Sequence, residues 1–312
     1  MVVTVTLNPC IDRTVILPSF TYGSMNRMKE TTRDASGKGI NVSLALQALG
    51  EESKALGFLY RENSELFLSS LKGKGLEYSA VENSGSLREN IKLFDEKTGV
   101  TTEINQKGDY VTQDKWEAFK TLYSSEIINT DAVVISGSVP QGLSTSSYRT
   151  LLEIAAEKKV PTVLDAEGDL LALGLEASPF LIKPNLYEMK KTFGLDDLRI
   201  ETIVRKAQEI LMKWNVKYVI VSLSERGAVL VTKGRALYSP ALDIDVKSTQ
   251  GAGDNMVAGI LKAYIGRRSD YDMLRYGVAA ASGAIMKEGT TSIDIDTFNK
   301  LVEKVCIKEV KL

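Results

Sequence analysis

"AVVISGSVPQGLSTSSYRTLLEIAAEKKVPTVLDA", residues 132–166, reads as strand, helix, strand. Its two outer runs, AVVISGS (132–138) and VPTVLDA (160–166), are apolar without alternation, and SYRTLLEIAAEKK (147–159) between them carries a helical pattern. Unalternated Val/Ile/Leu runs bounded by turns suit strands covered on both faces, which is how parallel sheets sit between helix layers.

The same rhythm extends outward from this unit. VVTVTL (2–7), KALGFLY (54–60), PFLIKPN (179–185) and KYVIVSLS (217–224) read as strands. Helices are expected at 39–50, 64–75, 114–127 and 201–214, the third placing Trp116, Phe119 and Tyr123 at helical spacing. Two segments, about 13–34 and 88–106, hold strands and turns without a helix, the second around the hairpin-like DEKTG. They are expected to stand outside the main sheet as a small β-lid. The hairpin GAVLVTKGRALYSPAL (227–242) should extend the main sheet, and the chain from 253 onward should be helical. No repeat, low-complexity tract or linker interrupts the chain, so one α/β domain over 1–312 with a lid is the economical reading.

Composition narrows the chemistry. The net charge is −1, with acids and bases mixed throughout, so no global basic field recruits nucleic acid or a membrane surface. Histidine is absent, which removes Ser-His-Asp and Cys-His catalysis and histidine-ligated metals. A general base would be a carboxylate, lysine, tyrosine or cysteine. Cys10 and Cys306 form no disulfide framework or zinc pattern and read as small buried fillers. MVVTVTLNPC lacks the features of a signal peptide, and no apolar run reaches membrane-span length, so a cytoplasmic location is expected.

Neither G-x-x-x-x-G-K-[ST] nor a G-x-G-x-x-G after the first strand occurs. STQGAGDNMVAGILKAYIG (248–266) offers another anion site: Gly251, Ala252 and Gly253 form the turn, and an apolar helix follows. A helix N-terminus presents unpaired N–H groups and a partial positive charge, suited to charge growing on phosphoryl oxygens. Asp254 then has two readings, a carboxylate favouring the helix dipole or a base for an attacking hydroxyl.

This loop resembles the second signature of the PfkB sugar-kinase family, and ASGKGINVSLALQALG (35–50) resembles its first. TLNPCID (6–12), SGSVPQG (136–142), KPNLYE (183–188) and SLSERG (222–227) stand in that family's order, so the resemblance runs over essentially the whole chain. TLNPCID and LRENIKL make it most similar to the 1-phosphofructokinase and tagatose-6-phosphate kinase branch.

The resemblance implies a ribokinase-like fold, a Rossmann-like three-layer α/β/α arrangement with a β-sheet lid. It implies Asp254 as catalytic base and Gly251, Ala252 and Gly253 as the anion hole. ATP and Mg²⁺ are implied, with Asn185 and Glu188 organising the ion through water, since Mg²⁺ keeps several waters. Lys183, Ser222, Ser224 and Gly227 would serve the nucleotide, Ser224 standing where the family has glycine, and Ala280 and Gly283 would lie beside the adenine. Asp12, taken as the end of the first strand, would bind sugar hydroxyls with Gly37, Lys38 and Asn41 lining the same pocket. Arg27, Lys38, Arg88 and Ser138 together argue for a substrate already phosphorylated. Asp165 is a supporting residue.

The expected reaction is ATP-dependent phosphorylation of a ketohexose monophosphate, fructose 1-phosphate to the 1,6-bisphosphate first and tagatose 6-phosphate second. A catalytically silent nucleotide and sugar-phosphate binder is the reading from another class. The exposed lid is a plausible homodimer surface, because unpaired strand edges seek partners.

Overall fold

Along Ala132–Ser136, Val133 and Ile135 join one hydrophobic core while Ala132 and Val134 join another. Tyr218–Ser222 divides in the same way, Val219 and Val221 to the first core and Tyr218 and Ile220 to the second. Side chains of a strand alternate across the sheet, so strands buried on both faces require a helix layer on each. In the computed structural model, which describes residues 1–289 and 292–312, that is the arrangement found.

The strands are β1 (Val2–Thr6), β2 (Cys10–Leu17), β3 (Glu30–Ser36), β4 (Ser53–Glu62), β5 (Glu77–Ser86), β6 (Arg88–Asp95) and β7 (Val100–Ile104). They continue with β8 (Ala132–Ser136), β9 (Thr162–Asp165), β10 (Leu181–Ile182), β11 (Tyr218–Ser222), β12 (Ala228–Thr232), β13 (Arg235–Ser239) and β14 (Lys308–Val310). The helices are α1 (Lys38–Ala48), α2 (Ser64–Gly73), α3 (Gln113–Glu126), α4 (Ser147–Glu157) and α5 (Gly168–Gly174). After them come α6 (Leu186–Phe193), α7 (Ile200–Trp214), α8 (Ala252–Ile265), α9 (Asp270–Ile285) and α10 (Ile295–Lys304).

Among the described residues, ten strands form one sheet in the order β14-β13-β12-β11-β10-β9-β8-β1-β4-β5. From β5 to β11 every neighbouring pair is parallel, and the β12–β13–β14 edge is antiparallel. Helices α3, α4 and α7 cover one face, with Trp116, Phe119 and Tyr123 buried together, and α1, α8, α9 and α10 cover the other. Order reverses between β1 and β8, because β1 connects onward to β4 on one side while β8 continues to β9 on the other. The carboxyl ends of strands at such a switch point open a crevice.

The second sheet, order β3-β2-β6-β7, is the lid, built from the two segments expected to stand apart. Its central pair β2–β6 is parallel, and each outer strand pairs antiparallel. Among the described residues no helix is long and apolar enough to cross a membrane.

Several expectations needed correction. The hairpin β12–β13 extends the main sheet as expected, and the sheet also gains β5 and β14, whose sequences are too polar to stand out as strands; β14 also breaks the helical run expected after 253. The strand expected at 179–185 contracts to Leu181–Ile182, because Pro184 lacks an N–H to donate and Asn185 begins a helix. Cys306 is exposed rather than buried, since it lies beyond the end of α10 in the approach to edge strand β14.

Candidate active site

Loops following β1, β8, β9, β10 and β11 meet at one end of the sheet. At the switch point, Thr6 and Asn8 from β1 and its exit face Gly137 and Ser138 after β8. Gly37 and Lys38 at the start of α1, Arg88 at the start of lid strand β6, and Glu167 complete a cavity of about 190 Å³. Gly37, Lys38, Arg88 and Ser138, chosen from three separate motifs, therefore share one pocket.

Asn8 ties this pocket together, and nothing in its sequence context beyond the motif marked it. It is buried, and its amide Nδ2 donates to Lys107 O at 3.0 Å and Ser138 Oγ at 3.1 Å. Its backbone oxygen accepts from Arg88 Nε and Nη2 at 3.1 and 2.9 Å. The guanidinium is thereby held where the lid meets the body.

Asp254 lies in the first turn of α8, 6% exposed. Gly251 caps the helix at φ 74°, a left-handed conformation that glycine adopts without steric cost. Burial pushes the Asp254 carboxyl up to about 6, against the pull of Lys38, with Asp165 adding to the rise. A base poised there is charged at neutral pH and still accepts a proton readily. Asn41 Nδ2 donates to Asp254 Oδ2 at 2.9 Å. Asn41, one turn into α1, thus turns its amide toward α8 and orients the acid.

Two lysines converge on the same region. Lys183, nearly fully buried just after β10, lies 3.4 Å from Asp165 Oδ1, and Lys38 Nζ lies 3.8 Å from the same oxygen. Burial would raise the Asp165 carboxyl, but the two ammonium groups outweigh it and hold it below the ordinary range. Lys38 is correspondingly raised, chiefly by Asp165. A Cβ added to Gly253 would stand 3.2 Å from Lys183 Nζ, so the glycine loop and this cation are neighbours.

Beyond the loop lies an apolar cavity of about 440 Å³. Ala252 and Gly253 stand at one side of it, Ser222, Ser224 and Gly227 at another, and Leu242, Ile244, Val246 and Met256 supply apolar wall. Ser224 adopts φ 54°, a left-handed conformation that favours glycine. Gly227 has no room for a side chain, since a Cβ would come within 2.0 Å of Ser239 O. Ala280 and Gly283 are corrected: they do not line this cavity. Helix α9 offers it Val278, Ala281, Ser282 and Ile285, one face at helical spacing. Ala280 turns instead toward Gly259 of α8, and Gly283 packs on Ile293 and Leu301.

Two sugar-side placements also change. Asp12 is not at the end of β1 but within lid strand β2, paired with Lys92 Nζ at 2.8 Å. Arg27 sits exposed on the loop between β2 and β3 and lines neither cavity, because that loop runs away from the switch point along the far end of the lid.

For magnesium, Asn185 and Glu188 form a capping box at the start of α6. Asn185 Oδ1 accepts from Glu188 N at 2.8 Å, and Glu188 Oε2 accepts from Asn185 N at 2.9 Å. The helix-start reading of this pair is thus realised, and it also fixes the carboxylate. Glu188 is buried, which pushes its carboxyl up, and Asp165 pushes it further. Three buried carboxylates, Asp165, Glu188 and Asp254, thus face Lys38 and Lys183. Among the described residues no metal-binding cluster of three acidic, cysteine or histidine groups occurs. A hard cation holding mostly water and phosphate oxygens fits this oxygen-only, net-acidic setting.

The family model for the pfkB family carbohydrate kinases matches residues 5–297. The 1-phosphofructokinase of Bacillus subtilis is 34% identical over 288 residues, 92% of this chain and 93% of that protein. The crystal structure of phosphofructokinase-2 from Escherichia coli in complex with potassium superposes with a TM-score of 0.92 at 27% identity, covering 97% of this chain and 98% of that one. A possible 1-phosphofructokinase from Thermotoga maritima gives a TM-score of 0.90 at 28% identity over the full length of both chains.

Proposed function

The chain belongs to the pfkB family of carbohydrate kinases, and from that premise we propose that it phosphorylates fructose 1-phosphate with ATP to give fructose 1,6-bisphosphate. The observation that carries the reading is Asp254, buried beside the Gly251–Gly253 turn at the start of α8, with Lys38 reaching from it to the switch-point pocket.

In this reading the sugar phosphate occupies the switch-point pocket, its phosphate held by Arg88, Lys38 and Ser138. Asp254, kept in place by Asn41, takes the proton of the free hydroxyl as that oxygen attacks. The N–H groups of the glycine turn and the α8 dipole receive the negative charge of the transferring group, with Lys183 beside them. General-base action contributes about 10²–10⁴-fold, and positioning and electrostatics supply most of the remainder. The nucleotide lies across the apolar cavity between the β11 loop and α9. Magnesium, organised from the Glu188 side, neutralises phosphate charge when bound. The lid and the main sheet act as one catalytic domain in the cytoplasm.

The lid also suits a second copy of the chain. Phe20, Tyr22, Met25 and Met28 stand exposed on its β2–β3 loop, and Val100 and Ile104 on edge strand β7. Sedimentation velocity should give a dimer; a monomer at micromolar concentration removes this surface from the account.

Coupled assays with fructose 1-phosphate, fructose 6-phosphate and tagatose 6-phosphate at equal concentration test the substrate. The highest kcat/KM should belong to fructose 1-phosphate, and a clear preference for either other sugar overturns the choice. Normal binding of ATP and sugar phosphate without turnover would favour the silent binder.

A further inference from the structure

Lys92 on lid strand β6 is buried, 8% exposed, in a sheet whose outer strands are largely solvated. Buried lysines are uncommon and costly unless paired. Its Nζ meets Asp12 Oδ2 at 2.8 Å. Asn90, two residues earlier and so on the same face of β6, donates from Nδ2 to Asp12 Oδ1 at 3.1 Å. Arg88, two residues earlier again, approaches Asn90 Oδ1 at 3.5 Å through Nη1 and lines the switch-point cavity. A polar row therefore runs Lys92, Asp12, Asn90, Arg88 along the lid and ends at the pocket.

From this row we propose that Lys92 is a positioning residue of the sugar subsite, holding the Asp12 carboxylate and, through Asn90, the Arg88 guanidinium in register with the substrate. The proposal rests on the reading of the switch-point pocket as the sugar-phosphate site. Lys92 itself touches no substrate in this scheme.

Electrostatics around Asp12 support the assignment. The groups facing it are Lys92 and Asn90 from β6, Cys10 from β2, whose thiol donates to Oδ1 at 3.3 Å, and Ser36 from β3. Asp34, across from Asp12 in the β2–β3 register, is turned to Lys74 at 3.0 Å. Burial alone would raise the Asp12 carboxyl, yet Lys92 and the hydrogen bonds hold it below the ordinary value. Of these neighbours Lys92 alone brings a positive charge into contact. Removing that charge takes away the largest influence opposing burial and leaves only the hydrogen bonds of Asn90 and Ser36, so the Asp12 carboxyl would rise.

The test compares Lys92→Met and Lys92→Arg in the full chain. Lys92→Met should raise KM for fructose 1-phosphate about tenfold or more at pH 7.5, with KM for ATP changed by less than about twofold. That sugar KM should climb further as pH falls toward about 6, while the unmodified protein stays flat there. Lys92→Arg, which keeps the charge, should restore the flat profile. Equal changes in both KM values, or a raised sugar KM with the unmodified pH profile, overturn the proposal in favour of a purely structural pair. If Lys92→Met does not fold, the neutral pair Lys92→Gln with Asp12→Asn removes the buried unpaired charge, and it should raise the sugar KM without any pH dependence between about 6 and 8; a pH-dependent KM there counts against the proposal. Carboxyl carbon-13 NMR of Asp12, assigned by its loss in Asp12→Asn, separates the two levels of the argument. An upward-shifted titration in Lys92→Met supports the Lys92–Asp12 coupling even if fructose 1-phosphate is not the substrate, and an unshifted one sinks the coupling whatever the substrate.

Discussion

The two sheets are built on opposite principles. Strands β1 and β8 of the large sheet bury Val3, Val5, Val133 and Ile135 against one helix layer and Val2, Ala132 and Val134 against the other. In the lid, β6 buries Asn90 and Lys92 and leaves Ile91 and Leu93 only half-buried. Apolar burial is non-directional and tolerant, so the large sheet gains stability with little demand on geometry. Buried polar groups need each partner in place. In the proposed reading, the large sheet holds Asp254 still and the lid specifies what lies against it.

The sharpest test of that division is Asp254→Asn. It should lower kcat by about 10²–10⁴-fold while leaving ATP and sugar-phosphate binding within about threefold. Unchanged turnover would remove the base from the large sheet's side of the comparison. The same substitution should not destabilise the fold. The carboxyl is raised from 3.8 to about 6, so its favourable contribution is present in full below about pH 4 and is lost as pH rises through 6. Above that pH the ionised acid costs at most about 3 kcal/mol, and Asp254→Asn should raise Tm at pH 7.5.

Protonation of the same acid sets the next largest effect. In the proposed mechanism Asp254 acts in its charged form, so kcat/KM should fall about tenfold per pH unit below about 6, following the raised Asp254 carboxyl. A plateau extending to pH 5 would show that another group limits the rate.

Stability should separate the sheets directly. Ile135→Ala, fully buried on β8, should cost about 2–5 kcal/mol in urea unfolding with both KM values unaltered. Leu93→Ala, half-buried in the lid, should cost less than about 1.5 kcal/mol. Equal costs would mean the lid shares the large sheet's apolar logic. The smallest effect belongs to a hydrogen bond between lid strand β7 and the glycine turn before α8, Gln250 Nε2 to Glu103 Oε1 at 2.9 Å. Because it is exposed, Glu103→Ala should change kcat by no more than about threefold. A larger loss would make the lid a participant in phosphoryl transfer rather than a cover.

Much of the large sheet was legible because its signals are local. Unalternated Val/Ile runs and helical spacing state burial within ten residues of chain, and β1, β4, β8, β9 and β11 appear close to where those runs lie. Edge strands β5 and β14 were not legible, since half-solvated strands carry polar residues that read as loop. The glycine turn and Asp254 were visible because backbone approach to an anion demands small residues. Ala280 and Gly283 misled because small residues on a helix serve packing as readily as binding, and only the rotation of α9 settles which face meets the cavity. Lys92 and Asn8 carried no signal of their own: a lysine and an asparagine in a strand-rich segment look like solvated positions until a partner strand is set beside them.

Sequence alone determined the layered α/β architecture, the two-part lid, the glycine turn before α8 and the acid in its first turn, since each follows from side-chain volume, periodicity or backbone freedom over a short stretch. Tertiary structure decided which charges are paired. It set Asp12 against Lys92, Asn41 against Asp254, and Lys38 and Lys183 around Asp165. It also left Arg27 outside both cavities. The physical reason is range: a carboxylate's behaviour depends on burial and on charges within a few ångströms, and those neighbours come from residues 18 to 213 positions away.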